Sequence, residues 1–172
     1  HLMQANIGWK ADKTYNKRLF YPELGGGSLY DIGIYPMELL PYYADQKITQ
    51  MQFFKKDYST GVDEIVSLNL QLERCIANIQ CSFTTKMPED AYLYGSDGYI
   101  HIPKIHFGNR ARLYDLEDRL VEDFHEGLDN GFYYEVCEVI SCIEKGQTES
   151  SICPLNMTYD NAKLFDHVLR SR

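Results

Sequence analysis

The chain is 172 residues long, enough for one domain with an enclosed core, and carries a net charge of −8. Apolar residues at 44% and charged residues at 24% exclude a disordered or low-complexity polypeptide. The acidic balance argues against nucleic acid or an anionic membrane surface as partner, and no apolar run approaches the ~20 residues of a membrane span.

In chain order, His1, Leu2 and Met3 are set aside as an expected cloning remnant, and the domain is taken as residues 4–172. Residues 5–13, with Ile7 and Trp9, predict a strand; residues 14–24, without a steady period, predict a loop that holds Lys17, Arg18 and Pro22. After Gly25-Gly26-Gly27 the pattern turns helical over residues 28–43, where Leu29, Ile32, Met37, Leu39 and Leu40 share an apolar stripe, and Pro36 should bend or restart the helix. Strands are expected at 48–58, 63–73, 76–84, 91–94 and 99–105, with a polar pair at 110–116 and 119–124. In the second of these Ile65, Leu68, Leu70 and Leu72 form the apolar set. Helices close the chain at 132–145, with Val136, Val139, Ile140 and Ile143 on one face, and at 156–172.

Short turns between consecutive strands imply antiparallel neighbours. The expected class is α+β: one open-faced, largely antiparallel sheet with helices packed on one face. Met51, Phe53 and Phe54, then Tyr92, Leu93 and Tyr94, put large apolar or aromatic residues at both strand parities. Either the uncovered face is closed by another copy, giving a homodimer or tetramer, or these residues turn inward on a twisted sheet.

The five cysteines are odd in number and form no CxxC pair. Buried free thiols in a reducing, cytoplasmic compartment are expected rather than a disulfide framework. His101, His106, His125 and His167 lack ligand spacing, so no metal is assigned, and the acidic run from Asp115 to Asp123 is read as a solvated hairpin.

The densest signal is Gly25-Gly26-Gly27-Ser28-Leu29-Tyr30-Asp31-Ile32-Gly33-Ile34-Tyr35. It is neither a dinucleotide fingerprint, whose sixth position here is Tyr30, nor a phosphate loop, whose Gly-Lys-Ser/Thr ending is missing. Asp31 and Tyr35, four apart, would share a helix face, and a phenol beside a carboxylate can donate a proton to a developing alkoxide. Ser28-x-x-Asp31 is also a capping box, and from spacing alone the cap is favoured, because caps are far commoner than catalytic pairs. Arg18 in the preceding loop and Trp9 in the first strand are the two candidate substrate contacts, set against the simpler readings of a solvated arginine and a core or interface tryptophan.

The segment from Gly25 to Tyr35 resembles the hallmark of the glucose–fructose oxidoreductase / inositol dehydrogenase / MocA family, and most closely the branch with tyrosine at its last position, which holds glucose–fructose oxidoreductase and dimeric dihydrodiol dehydrogenase. Thr60-Gly61-Val62-Asp63-Glu64, Gly95-Ser96-Asp97-Gly98, Gly131-Phe132-Tyr133-Tyr134-Glu135 and Gly146-Gln147-Thr148-Glu149-Ser150 extend the resemblance over nearly the whole chain. The resemblance implies the C-terminal substrate and oligomerisation domain of an NAD(P)-dependent oxidoreductase, acting at a secondary alcohol of a sugar, polyol or dihydrodiol. It makes Tyr35 the proton donor and acceptor, with Asp31 positioning substrate or tuning the pair. In such proteins a preceding Rossmann domain binds NAD or NADP and supplies a lysine from Glu-Lys-Pro. This sequence contains neither a glycine fingerprint nor that tripeptide, so it is expected to be part of a two-domain enzyme and inactive alone. An isolated phenol, with a pKa of ~10, is a poor base at neutral pH without a neighbouring ammonium. The alternative is a non-catalytic relative that keeps the sheet for dimerisation or ligand binding.

Overall fold

The computed structural model describes residues 1–44, 47–128 and 130–171. Eight strands form one sheet: β1 (Leu2–Gly8), β2 (Ile48–Asp57), β3 (Asp63–Leu72), β4 (Ile76–Ser82), β5 (Ala91–Tyr94), β6 (Tyr99–Ile102), β7 (Arg110–Tyr114) and β8 (Leu120–His125). Their order is β2-β3-β4-β1-β5-β6-β7-β8, and every pairing is antiparallel except that of β1 with β4. The class and architecture are those expected from the strand and helix pattern.

The alternation in β3 has a physical consequence that corrects one assignment. Val66, Leu68, Leu70 and Leu72 are buried, whereas Ile65 has the opposite parity and lies across from Lys56 and Ser82 on the other face. Val66 therefore takes the core place given to Ile65. A second correction concerns the N-terminus. Leu2 and Met3, set aside in the sequence reading, open β1, and Met3 is wholly buried with Ala5 and Ile7 in the middle of the sheet. The strand ends at Gly8 rather than running to residue 13; beyond it Trp9 N and Ala11 N donate to the Ser82 and Phe83 carbonyls.

The loop before the glycines contains two short 3-10 turns, Lys17–Phe20 and Pro22–Leu24. The next helix begins as a π-turn, Leu29–Gly33, and becomes α1 (Ile34–Tyr43) two residues before Pro36. The missing N–H of Pro36 thus falls close to where the π-turn passes into α1, and a second proline, Pro41, lies inside α1. Leu29, Ile32, Met37 and Leu40 from this segment, with Phe165 and Val168 of α3 (Leu155–Arg170), cover the buried residues of β1, β3 and β4. The expected last helix extends to Arg172, which lies outside the described residues.

Beyond this half the sheet is barely covered. α2 (Phe132–Glu144) places Val136, Val139, Ile140 and Ile143 on one face, as its spacing predicts, yet that face is 50–71% exposed and only Cys142 of the helix is buried. Helix packing on the core is therefore the work of α1 and α3. The mixed parities noted in the sequence divide cleanly. Met51, Phe53 and Leu93 pack against the core, while Phe54, Tyr92 and Tyr94 stand on the open face. There Tyr92 stacks on Tyr94 and His101, and Tyr99 stacks on Tyr114, beside an amide-rich stretch that includes Gln4, Asn69 and Asn78. All five cysteines are free thiols, but only Cys75, Cys81 and Cys142 are buried; Cys137 and Cys153 are exposed.

Candidate active site

The glycine run is shaped by what packs against it. Gly25 and Gly27 adopt φ of +69° and +120°, which L side chains rarely adopt. A Cβ on Gly26 would meet the Arg18 carbonyl oxygen at 2.5 Å, and one on Gly27 would run into the Asp63 carboxylate. The run therefore lets the chain pass between the 3-10 turns and the start of β3.

Asp63 is the reason the helix starts where it does. Its Oδ2 accepts hydrogen bonds from Ser28 N at 2.9 Å, Ser28 Oγ at 2.8 Å and Leu29 N at 2.7 Å, and the residue is only 4% exposed. The capping box is thus not formed. Ser28 makes no capping bond to its own helix, and a carboxylate 35 residues away satisfies the orphan donors instead. Burial pushes the Asp63 carboxyl above its usual range, against the pull of the Leu29 and Ser28 hydrogen bonds.

Freed from capping, Asp31 turns to Arg18. Arg18 Nη2 donates to Asp31 Oδ1, and Arg18 Nη1 donates to the Gly25 carbonyl at 3.3 Å. Two candidates separated by 13 residues in sequence therefore meet, with the arginine side chain 54% exposed and the aspartate 22%.

Tyr35 faces elsewhere. Its ring lies 5.3 Å from that of His106, which is in turn stacked on Trp9 at 6.0 Å. The phenol is 42% exposed, and its hydroxyl has no hydrogen bond to another described residue. Tyr35 and His106 line a groove of about 840 Å³ whose other walls come from the loop between β6 and β7, the β7–β8 hairpin and the start of α2, including Phe107, Arg110, Phe124 and Tyr134. Of the four candidate residues, only Tyr35 lines this groove. Arg18 and Asp31 pair on the adjoining segment, and Trp9 backs His106.

Two residues central to this geometry are given no role by the sequence. Asp63 enters there only as part of the segment 60–64 that extends the resemblance and opens β3, and His106 lies in a loop without periodicity. Its Nδ1 faces Glu89 Oε2 at 3.5 Å, and Glu89 also pairs with Lys86 at 2.8 Å. The acidic hairpin is held by ion pairs across its strands, Arg110 and Arg112 with Asp123, and by Arg119 with Asp115 and Glu117.

The donors at the start of the π-turn would be the natural seat for a phosphate, but the Asp63 carboxylate already occupies them. A dinucleotide's phosphates thus do not fit the glycine run of this chain. The groove beside Tyr35 is the concavity that one of the four candidate residues lines.

Residues 1–101 match the model of the GFO/IDH/MocA C-terminal domain. Trans-1,2-dihydrobenzene-1,2-diol dehydrogenase of Danio rerio is 32% identical over 142 residues, which is 78% of this chain and 42% of that protein. The Mus musculus protein of the same name is 30% identical over 137 residues, 76% and 41% of the two chains. The chain spans about half the length of the curated relatives it matches. Among solved structures, aldose-aldose oxidoreductase from Caulobacter crescentus, complexed with glycerol, superposes with a TM-score of 0.82 at 18% identity over 98% of this chain and 52% of that one. A 3-ketoreductase from Actinomadura kijaniata in complex with NADP and TDP-benzene superposes with a TM-score of 0.75 at 15% identity over 96% and 51%.

Proposed function

The chain belongs to the GFO/IDH/MocA oxidoreductase family, as the match over residues 1–101 establishes, and from that premise we propose that it is the substrate and oligomerisation domain of an NAD(P)-dependent dehydrogenase acting at a secondary alcohol carbon. The substrate class is a sugar, polyol or dihydrodiol. The observation that carries the reading is the half-exposed phenol of Tyr35 at the rim of a groove, its hydroxyl free to meet a ligand.

In this reading Tyr35 donates a proton to the developing alkoxide in reduction and takes it back in oxidation. The nicotinamide, when bound, takes or gives the hydride; it is held by a nucleotide-binding domain outside these residues, consistent with the misfit of phosphates to the glycine run. Arg18, paired with Asp31 on the segment beside the groove, contributes in this reading to binding substrate hydroxyls, while Trp9 acts on the groove through the His106 ring it supports. On the same reading the chemistry needs the nucleotide-binding domain as well, so this chain alone turns over no polyol.

The second reading, a non-catalytic relative, is favoured by one observation, the broad open face with its tyrosine stacks and exposed Phe54, which suits contact with another copy. The two roles are compatible, and we place the homodimer or tetramer contact on that face. The free thiols suit a reducing, cytoplasmic setting; among the described residues no helix is long and apolar enough to cross a membrane.

A panel of sugars, polyols and dihydrodiols assayed with NAD and NADP, using the full-length protein and its Tyr35→Phe variant, tests the assignment. The dehydrogenase reading expects turnover that the variant loses with its oligomer intact. Absence of turnover on every member, or turnover unchanged by the substitution, would support the non-catalytic reading instead.

A further inference from the structure

His106 holds a position that the proposed chemistry does not use. Its side chain is only 7% exposed, yet its Nδ1 is sealed from solvent with no hydrogen-bond partner. The imidazole is clamped between two rings, with Trp9 nearly parallel to it (20° between planes) and Tyr35 tilted by 52°. Phe107 adds a third aromatic neighbour at 4.1 Å. An orphaned nitrogen in such a place is destabilising, so a purely structural ring would be served better by phenylalanine.

Glu89 gives the nitrogen a conditional partner. Its Oε2 stands 3.5 Å from Nδ1, too far for a good hydrogen bond to a neutral ring but within reach of an imidazolium after a small shift. We propose that His106 is a positioning residue for Tyr35: neutral, it holds the phenol at the rim of the groove, and protonated, it is drawn toward Glu89 and releases that hold. The inference rests on the assignment of Tyr35 as the proton-transferring group.

The charges facing the imidazole set the direction. Burial pushes the His106 pKa below its usual value, Glu89 partly opposes this, and Lys86 adds to it. From α1 the facing group is Tyr35. Across the groove stand Arg110 of β7, Glu126 just after β8 and Glu135 of α2. The neutral, holding form thus persists from alkaline pH down into the weakly acidic range, and the switch occurs below the midpoint of an unperturbed histidine.

Two measurements test this separately from the dehydrogenase assignment. In an NMR titration of this chain, the His106 ring signals should move with a midpoint below 6.5, the ordinary histidine value, and the Tyr35 ring signals should follow the same midpoint. Glu89→Gln should shift both midpoints down, and Lys86→Ala should shift both up. If the Tyr35 signals ignore the His106 titration, the coupling is refuted, whatever the enzyme does. In the full-length protein, kcat should fall on an acid limb with that same midpoint. His106→Phe, which keeps the ring but cannot titrate, should abolish the limb, whereas His106→Ala should also lower kcat at neutral pH about tenfold or more. An acid limb that survives in His106→Phe would overturn the proposal. A protein in which the NMR coupling holds and Tyr35→Phe leaves turnover unchanged would instead refute the role of Tyr35.

Discussion

Replacing Asp63 by alanine removes the cap on which the geometry of the site depends. One carboxylate oxygen serves two backbone N–H groups and one hydroxyl, at 2.7–2.9 Å, and both Asp63 and Ser28 are buried. Hydrogen bonds to a charged acceptor contribute ~1.5–3 kcal/mol each, and a lost cap costs ~0.5–2 kcal/mol, so three stranded donors with partial rehydration through the new gap should cost about 3–5 kcal/mol. For a chain of this size that lowers Tm by about 10–15 °C. Urea unfolding followed by far-UV circular dichroism should show a lower midpoint with an unchanged slope. A loss below about 1 kcal/mol would refute the capping argument. Asp63→Asn, which retains an acceptor oxygen, should cost less, and it isolates a pH effect. Because the folded state raises the Asp63 pKa, folding is favoured while the carboxyl is protonated in both states, and stability falls as pH rises from the unfolded value through the folded one. Stability curves for wild type and Asp63→Asn should therefore converge in acid and diverge over that window.

Other outcomes follow from the remaining contacts. Arg18→Ala breaks a half-exposed ion pair, so it should cost no more than ~1 kcal/mol of stability, while kcat/KM of the full-length protein falls severalfold; equal, small effects on both would make Arg18 a surface residue only. Gly27→Ala combines a left-handed backbone with a clash on Asp63 and should destabilise more than Gly146→Ala, where the added methyl meets open space; thermal melts of the two variants decide this. Phe54→Lys, on the open face and 76% exposed, should leave stability within about 0.5 kcal/mol yet weaken self-association in sedimentation velocity; an unchanged sedimentation coefficient would move the contact off this face.

What the sequence made legible was whatever depends on local periodicity or on a specific motif. β3 and the apolar stripe of the segment before Tyr43 follow from alternation and helical spacing, and the glycine-to-Tyr35 segment pointed to the right family. Features set by distant partners were hidden. Ser28-x-x-Asp31 looks like a capping box, but Asp63 competes for the same donors and wins because its carboxylate is held in place by β3. That displacement releases Asp31 to Arg18, a pairing no spacing rule predicts. The four-residue spacing of Asp31 and Tyr35 suggests one shared face, yet Asp31 sits in a π-turn that gives way to α1 before Tyr35, and the two side chains engage different neighbours. His106 was invisible because its importance lies in the rings around it. The apolar face of α2 read as core from its spacing, but spacing cannot say whether a partner surface is present.

The central claim, that the phenol at the rim of the groove moves the proton in a hydride-transfer reaction, is tested most directly by the pre-steady-state rate of cofactor reduction. Measured in the full-length protein with saturating substrate, Tyr35→Phe should slow that single step about 10²–10⁴-fold while cofactor affinity and Tm stay as in wild type. An unchanged rate in the variant would contradict the claim, whatever its steady-state turnover.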